Sequence, residues 1–256
     1  MRRVVAVIQA RLGSSRLPGK SLADIAGKPL VAHVIERMRA CATVHDVVVA
    51  TTSESSDDAL ARAVSSLGVT VYRGSTDDVL DRTCRAARDA GAQIVVRATA
   101  DDPFKDPEVT DLVVRRLLDE RADYCSNTLK PTFPEGVDIE AFTVRALERA
   151  WHEARLASER EHVTPYIWKQ PEQFKLVGVT YASDLSRLRW TVDYPEDLAF
   201  ARAVYAQLYH GEPFGMEAVL RLLERQPELA RLNRGVARNE GYQRSLQHDR
   251  PVFGGH

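Results

Sequence analysis

The stretch Arg11–Ser21, RLGSSRLPGKS, places basic side chains among glycines and serines. It comes close to a Walker A loop, but five residues separate Gly13 from Gly19, one more than that motif has. A Walker A loop also continues directly as a helix, whereas Gly27 and Pro29 would break a helix here within two turns. Cations among small residues suit a triphosphate held by another geometry, the alternative being a solvated basic turn. The candidate contacts in this loop are Arg11, Gly13, Ser14, Arg16 and Lys20.

Two aspartates each follow an apolar segment and precede a turn that contains proline. They are Asp101 in ADDP and Asp193 in VDYP. Such carboxylates suit Mg²⁺, which takes few protein oxygens and keeps the rest of its shell for phosphate and water. With the loop they predict a magnesium–triphosphate site. Either could instead cap a turn or helix, and the spacing leaves open whether Asp102 replaces Asp101 as the ligand.

A third group of charged residues lies between residues 124 and 181. Its members are Asp138, Glu140, Arg160, Glu161 and His162. A lone histidine among charges is more often structural than catalytic. The sequence contains no HExxH motif and no Ser/His/Asp or Cys/His order that stands out.

Composition restricts the class of protein. The 256 residues are 44% hydrophobic and 28% charged, which predicts a single large domain, 1–256, or a domain with an insertion. A net charge of −1 argues against a nucleic-acid or membrane partner. The three cysteines have no CxxC spacing, and the first apolar run is too short for a signal peptide or a membrane span, so we expect a cytoplasmic protein.

Apolar β-branched runs alternate with helical patterns in the first hundred residues. Strands are predicted at Val4–Ile8, Asp46–Thr52, 69–72 and Gln93–Thr99, and helices at Leu30–Cys41, 57–68 and Asp77–Ala90. This alternation predicts an α/β fold with an open, mostly parallel, doubly wound sheet. Ligands then bind beyond the carboxyl ends of the strands, where the basic loop and Asp101 fall.

The alternation of predicted strands and helices stops at about residues 124–181. We interpret this stretch as an insertion with a helix around Trp151 and an extended segment, VDIEAF. A last strand is predicted at Leu188–Val192, and Pro195 opens a helix. The tail from Arg225 is polar, and RNEGY, residues 238–242, is its one distinctive patch.

These motifs together resemble a known family. VIQARLGSSRLPGKSL is similar to the N-terminal signature of cytidylyltransferases that make CMP-activated sugar acids, most closely the SpsF branch of spore-coat polysaccharide synthesis. The resemblance continues through GSTDDVLDR, ADDPFKDP, SNTLKPTFPEGVDIEAF, EREHVTPYI, WTVDYPEDL and RNEGY. One departure is Ala100, where the family usually has glycine.

The resemblance implies a nucleotidyltransferase fold, with CTP phosphates on the loop and Mg²⁺ on Asp101 and Asp193. An acceptor oxygen would attack the α-phosphorus of CTP and expel pyrophosphate. Arg16 and Lys20 would stabilise the departing pyrophosphate. Further cytidine and triphosphate contacts implied by the resemblance are Arg11, Thr51, Arg73 and Arg82. Alternatives are a nucleotidyltransferase for another base or acceptor class, and a non-catalytic nucleotide-sugar binding protein in polysaccharide assembly.

Acceptors in the wider family are anionic sugar acids, phosphates or phosphonates. We therefore predict acceptor contacts from cations and from the alternating carboxylates, which favour a hydroxyl-rich molecule. These residues are Arg97, Asp138, Glu140, Arg160 and His162. The aromatic residues Phe133, Trp151, Tyr166 and Trp168, and pairing through this region in related enzymes, predict a homodimer in which residues 124–181 form a dimerisation and acceptor lobe.

Overall fold

A computed structural model describes residues 2–252. The strands are β1 (Val4–Gln9), β2 (Asp24–Ile25), β3 (Lys28–Pro29), β4 (Asp46–Thr52), β5 (Thr70–Gly74), β6 (Ile94–Thr99), β7 (Tyr124–Ser126), β8 (Glu140–Thr143) and β9 (Leu176–Gly178). The α-helices are α1 (Leu30–Arg39), α2 (Asp58–Ser66), α3 (Val79–Asp89), α4 (Pro107–Asp119), α5 (Val144–Glu153), α6 (Ala157–His162), α7 (Pro165–Trp168), α8 (Pro195–Leu208), α9 (Met216–Arg225) and α10 (Glu240–Gln247).

Seven strands form one sheet in the order β5-β4-β1-β6-β8-β7-β9. Strands β5, β4, β1 and β6 pair in parallel, and β8 is antiparallel to both of its neighbours. β9 pairs in parallel with β7. The carboxyl ends of β1, β4 and β6 therefore meet at one edge, and this edge carries the basic loop and Asp101. The α/β, mostly parallel fold that the sequence predicts is confirmed.

Helices cover both faces of the sheet because its central strands are apolar on both sides. In β1, Val4, Ala6 and Ile8 belong to one core cluster, whereas Val5 and Val7 belong to the other. Helices α1, α2, α4, α8 and α9 pack into the first cluster, and α3 and α5 into the second. The sequence of a strand buried on both faces is a continuous apolar run, and β1 could be predicted because it has this pattern.

Residues 124–181 extend the main sheet. They supply β7, β8 and β9, and their helices α5 and α6 pack against α3. The acceptor residues predicted in this stretch are thus attached to the same sheet as the basic loop. The sheet itself therefore places these acceptor residues near the basic loop, without a separate lobe.

The strand predicted at Leu188–Val192 is wrong. The segment is extended, but its ladder is a single bridge between Arg189 and Glu135. Both edges of β6 are already occupied, by β1 and β8, so no ladder position beside β6 is open. The segment instead bonds to loops, and the N–H of Val192 donates to the carbonyl of Asp101 at 2.8 Å.

Two of the four aromatic residues behind the homodimer prediction are buried in this chain, and Tyr166 and Trp168 are half-buried. Phe133 is 2% exposed and Trp151 9% exposed. Tyr166 packs edge-on against Phe174, and Trp168 packs against Tyr242. The monomer therefore buries Phe133 and Trp151 and leaves part of Tyr166 and Trp168 exposed, and the homodimer stays a prediction. Separately, none of the helices within residues 2–252 is both long and apolar enough to cross a membrane.

Candidate active site

Two adjoining cavities open at the carboxyl edge of the sheet. The first, the loop cavity, has a volume of about 330 Å³ and is lined by the basic loop, Arg82 and residues near the end of β6. The second, the sheet-end cavity, has about 250 Å³ and is lined by Arg97, Glu140 and Asp193 among others. The residues that line both are Gln9, Arg16, Thr99, Asp101, His162 and Gly241. A ligand that spans the two cavities passes these shared residues.

The backbone of the basic loop is folded onto itself. The N–H groups of Ser14 and Gly19 both donate to the carbonyl of Leu12, at 2.8 and 3.0 Å. The N–H of Leu12 donates to Oδ1 of Asp57 at 2.7 Å, which ties the loop to the end of β4. Gly19 has a φ of 75°, a conformation that glycine adopts without steric cost. The loop thus carries Lys20 into the edge of the sheet in a defined backbone conformation.

Lys20 joins the two predicted metal ligands. Its ammonium group donates to Oδ2 of Asp101 at 2.6 Å, to Oδ1 of Asp193 at 2.8 Å and to the carbonyl of Val192 at 2.9 Å. Burial would lower the pKa of Lys20, but the two carboxylates raise it above its ordinary value. Burial likewise raises the pKa of Asp101, yet the charge and hydrogen bond of Lys20 outweigh this effect and lower the pKa to about 2. Lys20 and Asp101 are therefore both charged at neutral pH.

Asp193 is fixed on every side by cations and backbone. Its Oδ1 also accepts from Arg16 at 2.5 Å, and its Oδ2 accepts from Arg189 at 2.9 Å. Its N–H donates to Asp197 at 2.9 Å. Arg189 is 8% exposed and pairs in addition with Glu135 and Asp197, so it anchors the loop that carries Asp193. Sequence reasoning missed Arg189, although it directly precedes the WTVDYPEDL motif and stands four positions before Asp193.

Arg82 is a buried cation with unused hydrogen-bonding capacity. It is 2% exposed, its Nη1 donates to the carbonyl of Ser75 at 2.6 Å, and its Nε finds no partner within residues 2–252. Burial, together with the charge of Arg11, lowers the pKa of Arg82 to about 10. Arg11 and Arg82 repel each other electrostatically and line the same cavity, so a bound anion would stabilise both.

The two cavities carry opposite charge. The loop cavity is lined by five basic residues, Arg11, Arg16, Lys20, Arg82 and Arg244, and by two acidic ones, Asp101 and Glu161. The sheet-end cavity is lined by three basic residues, Arg16, Arg97 and Lys105, and by seven acidic ones, Asp101, Asp102, Glu135, Asp138, Glu140, Asp193 and Glu240. The first suits a polyanion and the second a cation or a donor of hydrogen bonds.

Most predicted acceptor residues lie in the sheet-end cavity. Glu140 pairs with Arg97 at 2.5 Å and accepts from the hydroxyl of Tyr124 at 2.7 Å. Asp138 pairs with Arg238, and burial raises the pKa of Asp138 to about 6 against the opposing charge of that arginine. His162 lines both cavities. Burial lowers its pKa to about 4, so it is neutral at pH 7.

Asp102, the alternative to Asp101 as a metal ligand, contacts other residues. Its carboxylate pairs with Lys105 at 2.7 Å and accepts from the hydroxyl of Thr99 at 2.7 Å. The ammonium group of Lys20 contacts Asp101 and Asp193 instead. The pair around Lys20 is thus Asp101 and Asp193.

Four predicted contacts lie outside the two cavities, and one of them is Gly13 of the basic loop. Arg160 is placed at a neighbouring cavity, where it pairs with Asp78 and its Nη1 donates to the carbonyl of Trp151 at 2.6 Å, so the structure moves it away from the acceptor residues. Arg73 donates to the carbonyls of Thr52 and Glu54 and is used to hold that loop. Thr51 is fully buried and lines neither cavity.

A family model described as cytidylyltransferase matches residues 5–226. The chain belongs to the cytidylyltransferase family. The matched range contains the basic loop, Asp101, Asp193 and every predicted acceptor residue, whereas α10 lies beyond it.

Individual relatives agree with this family. The chain is 30% identical to the spore coat polysaccharide biosynthesis protein SpsF of Bacillus subtilis, over 90% of this chain and 98% of SpsF. A 3-deoxy-manno-octulosonate cytidylyltransferase of Anaeromyxobacter is 44% identical over 44% of this chain and 47% of its own length. The solved structure of a cytidylyltransferase from Leptospira borgpetersenii superimposes with a TM-score of 0.87 at 32% identity, covering 93% of this chain and all of that one.

The donor set of this cytidylyltransferase can be compared with what Mg²⁺ requires. Within residues 2–252 no three His, Cys, Asp or Glu side chains cluster in a way that could hold a metal by themselves. Mg²⁺ is usually bound through about one or two carboxylates, with substrate phosphates and water completing its shell. Asp101 and Asp193 converge on one point next to a basic cavity, so they fit a metal that arrives with a nucleotide.

Proposed function

We propose that this cytidylyltransferase transfers CMP from CTP to a hydroxyl group of an anionic, hydroxyl-rich sugar acceptor and releases pyrophosphate. The observation that carries the proposal is the meeting of a basic and an acidic cavity at Asp101, next to Lys20 and Asp193. A triphosphate fits the basic side, the hydroxyl groups of an acceptor fit the carboxylates of the acidic side, and the shared residues lie where the two react.

In the proposed reaction the acceptor oxygen forms a bond to the α-phosphorus of CTP. The bond from that phosphorus to the oxygen that bridges to the β-phosphate breaks, and its electron pair leaves with pyrophosphate. The hydroxyl proton passes to a carboxylate of the sheet-end cavity and from there to water. No side chain acts as a nucleophile, so catalysis rests on positioning and on stabilising charge.

Arg11 and Arg82 bind the triphosphate, and Arg16 and Lys20 stabilise the charge that develops on pyrophosphate. To do so, Lys20 has to leave its place between Asp101 and Asp193, and Arg16 has to leave Asp193. These two movements free Oδ2 of Asp101 and Oδ1 of Asp193, while Arg189 keeps its bond to Oδ2 of Asp193. Asp101 and Asp193 would hold Mg²⁺, which when bound neutralises phosphate charge and polarises the reacting phosphoryl group.

The acceptor is held by residues at the far side of the sheet-end cavity. Arg97 donates through Nε to Gln9 and through Nη1 to Glu140, and its Nη2 makes no hydrogen bond to residues 2–252. We assign this nitrogen to the anionic group of the acceptor. The carboxylates of Asp138 and Glu140 accept hydrogen bonds from its hydroxyls, and the partial relative named for 3-deoxy-manno-octulosonate supports a sugar acid of that type.

A second candidate function is the binding of a nucleotide sugar without catalysis. The ion cluster of Lys20, Asp101 and Asp193 favours the enzyme, because a binding protein has no need for two carboxylates beside a phosphate site. The homodimer and the cytoplasmic location also remain proposals. Both rest on the family, since two of the four aromatic side chains named for the dimer, Phe133 and Trp151, are buried in the monomer.

The test is a pyrophosphate-release assay with Mg²⁺ in which CTP, UTP, ATP and GTP are each combined with a panel of acceptors. The panel contains 3-deoxy-manno-octulosonate, a sugar phosphate and an aminoalkyl phosphonate. We expect release with CTP and the sugar acid. CTP binding by calorimetry without turnover on any acceptor would favour the binding protein, and preference for another nucleotide would overturn the assignment of the base.

A further inference from the structure

Beyond the part of the chain matched by the family model, three consecutive residues, 238–240, are attached to the site. Arg238 pairs with Asp138 and donates to the carbonyl of Phe133 at 2.9 Å. The N–H of Asn239 donates to Oε1 of Glu135 at 2.8 Å. Glu240 pairs with Arg16 at 3.1 Å. The RNEGY patch is thus a wall of the sheet-end cavity.

This wall continues along α10 past the boundary between the two cavities. Asn239, Glu240 and Tyr242 line the sheet-end cavity, Gly241 lines both, and Arg244 and Ser245 line the loop cavity. A Cβ atom added at Gly241 would meet no atom within 4 Å. The open space beside Gly241 is therefore available to a ligand that passes between the cavities.

Tyr242 offers a polar group that the protein does not use. Its ring lies edge-on to His162 at 5.0 Å and to Trp168 at 5.9 Å between centroids, so the side chain is held from both sides. Its hydroxyl oxygen is buried and has no hydrogen-bond partner within residues 2–252. A buried hydroxyl without a partner is costly, and a ligand that supplies one recovers that cost.

We propose that residues 238–245 select the acceptor, and that the hydroxyl of Tyr242 forms a hydrogen bond with a hydroxyl group of the sugar. This inference rests on the proposed function. Triphosphate recognition lies mainly within residues 5–226, which the family model matches, whereas this segment lies outside them. A fixed tyrosine and an uncrowded glycine then distinguish acceptors that share the same CMP donor.

The first test is steady-state kinetics of Tyr242→Phe with the best acceptor of the panel above. The variant removes one oxygen and breaks no hydrogen bond within residues 2–252. We expect the KM for the acceptor to rise about tenfold, the effect of losing one hydrogen bond to a neutral group, and the KM for CTP to stay unchanged. Tyr181→Phe is the matched control, because its hydroxyl bonds to Glu217 and Tyr181 lines neither cavity.

Gly241→Ala is the second variant. It suits a helical position and leaves the fold intact, so the melting temperature should hold or rise, while the added methyl group raises the KM for the acceptor. Equal acceptor KM values in the wild type, Tyr242→Phe and Gly241→Ala would overturn the inference and leave the proposed function standing.

Amide hydrogen exchange separates the remaining outcomes. With CTP and Mg²⁺ present, addition of 3-deoxy-manno-octulosonate, the sugar phosphate or the phosphonate in turn should protect residues 238–245. If CTP protects residues 11–21 but none of the acceptors protects 238–245, the segment is not the acceptor wall. If CTP protects nothing, the proposed function itself fails.

Discussion

The ammonium group of Lys20 lies 2.6 Å from Oδ2 of Asp101, at the place where the proposed metal would meet the same carboxylate. A metal held by these carboxylates would therefore compete with Lys20 in the free enzyme. Lys20→Met should raise the affinity for Mn²⁺ without nucleotide, because the competing charge is gone, and Mn²⁺ electron paramagnetic resonance measures this. Unchanged or weaker Mn²⁺ binding would contradict the assignment of the carboxylates.

The same lysine should act on the leaving group. Lys20→Ala should lower kcat by about a hundredfold or more, the scale for losing one electrostatic stabiliser, with a smaller change in the KM for CTP. Arg11→Ala should show the opposite balance, since an interaction made equally in ground and transition states appears in KM. Initial rates over a range of CTP concentrations decide between the two. The reverse pattern would exchange the two roles.

Asp101→Asn and Asp193→Asn should lower turnover similarly, by about a hundredfold or more, but differ in stability. Asp193 contacts Lys20, Arg16 and Arg189, and its side chain is 12% exposed, whereas that of Asp101 is 27% exposed. Loss of a buried partner leaves uncompensated charge, so Asp193→Asn should lose about 3 kcal/mol of unfolding free energy and Asp101→Asn less. Urea unfolding at pH 7 tests the order. Near-normal turnover in both variants would reject the metal site.

The pH dependence of Asp101 follows from its lowered pKa. In the folded state the pKa is about 2, below the value of an unfolded chain, so the carboxylate stabilises the fold above about pH 4. This contribution disappears as the pH falls toward 2. Wild type should therefore exceed Asp101→Asn by about 1–2 kcal/mol at neutral pH, discounted for the partial exposure, and the gap should close on acidification. A gap that stays constant in urea titrations from pH 7 to 2.5 contradicts this.

The parts of the site that sequence reasoning found are those that local patterns determine. A β-branched run that ends in a basic loop predicts both β1 and the place of Lys20, and the carboxyl end of β6 predicts Asp101. The partners of these residues come from far along the chain. Glu240 reaches Arg16 and Arg238 reaches Asp138 through packing that no local spacing encodes. Arg160 was misplaced for the same reason, since its partner Asp78 precedes it by 82 positions.

Arg82→Met should separate stability from nucleotide binding. Arg82 is buried with a lowered pKa, and its Nε has no hydrogen-bond partner among the described residues, so its charge costs folding free energy that a bound anion recovers. Replacement by an apolar side chain of similar length should leave the free protein as stable or up to about 1 kcal/mol more stable, while CTP affinity falls at least tenfold. Thermal melting with and without CTP shows both effects. A large loss of stability in the free variant would mean that the bond to Ser75 matters more than the buried charge.

The last prediction compares two arginines that the sequence placed in one group. Arg97 lines the sheet-end cavity, and its Nη2 makes no hydrogen bond within residues 2–252, whereas Arg160 pairs with Asp78 and donates to the carbonyl of Trp151. Arg97→Gln should raise the KM for an anionic acceptor by about tenfold to a hundredfold, the range for a hydrogen bond to a charged group. Arg160→Gln should lower the melting temperature and leave that KM unchanged. Kinetics of both variants with 3-deoxy-manno-octulosonate and the aminoalkyl phosphonate make the comparison. If the phosphonate is the better acceptor and Arg97→Gln does not alter its use, the sheet-end cavity neither prefers hydroxyl-rich acceptors nor binds their anionic group through Arg97.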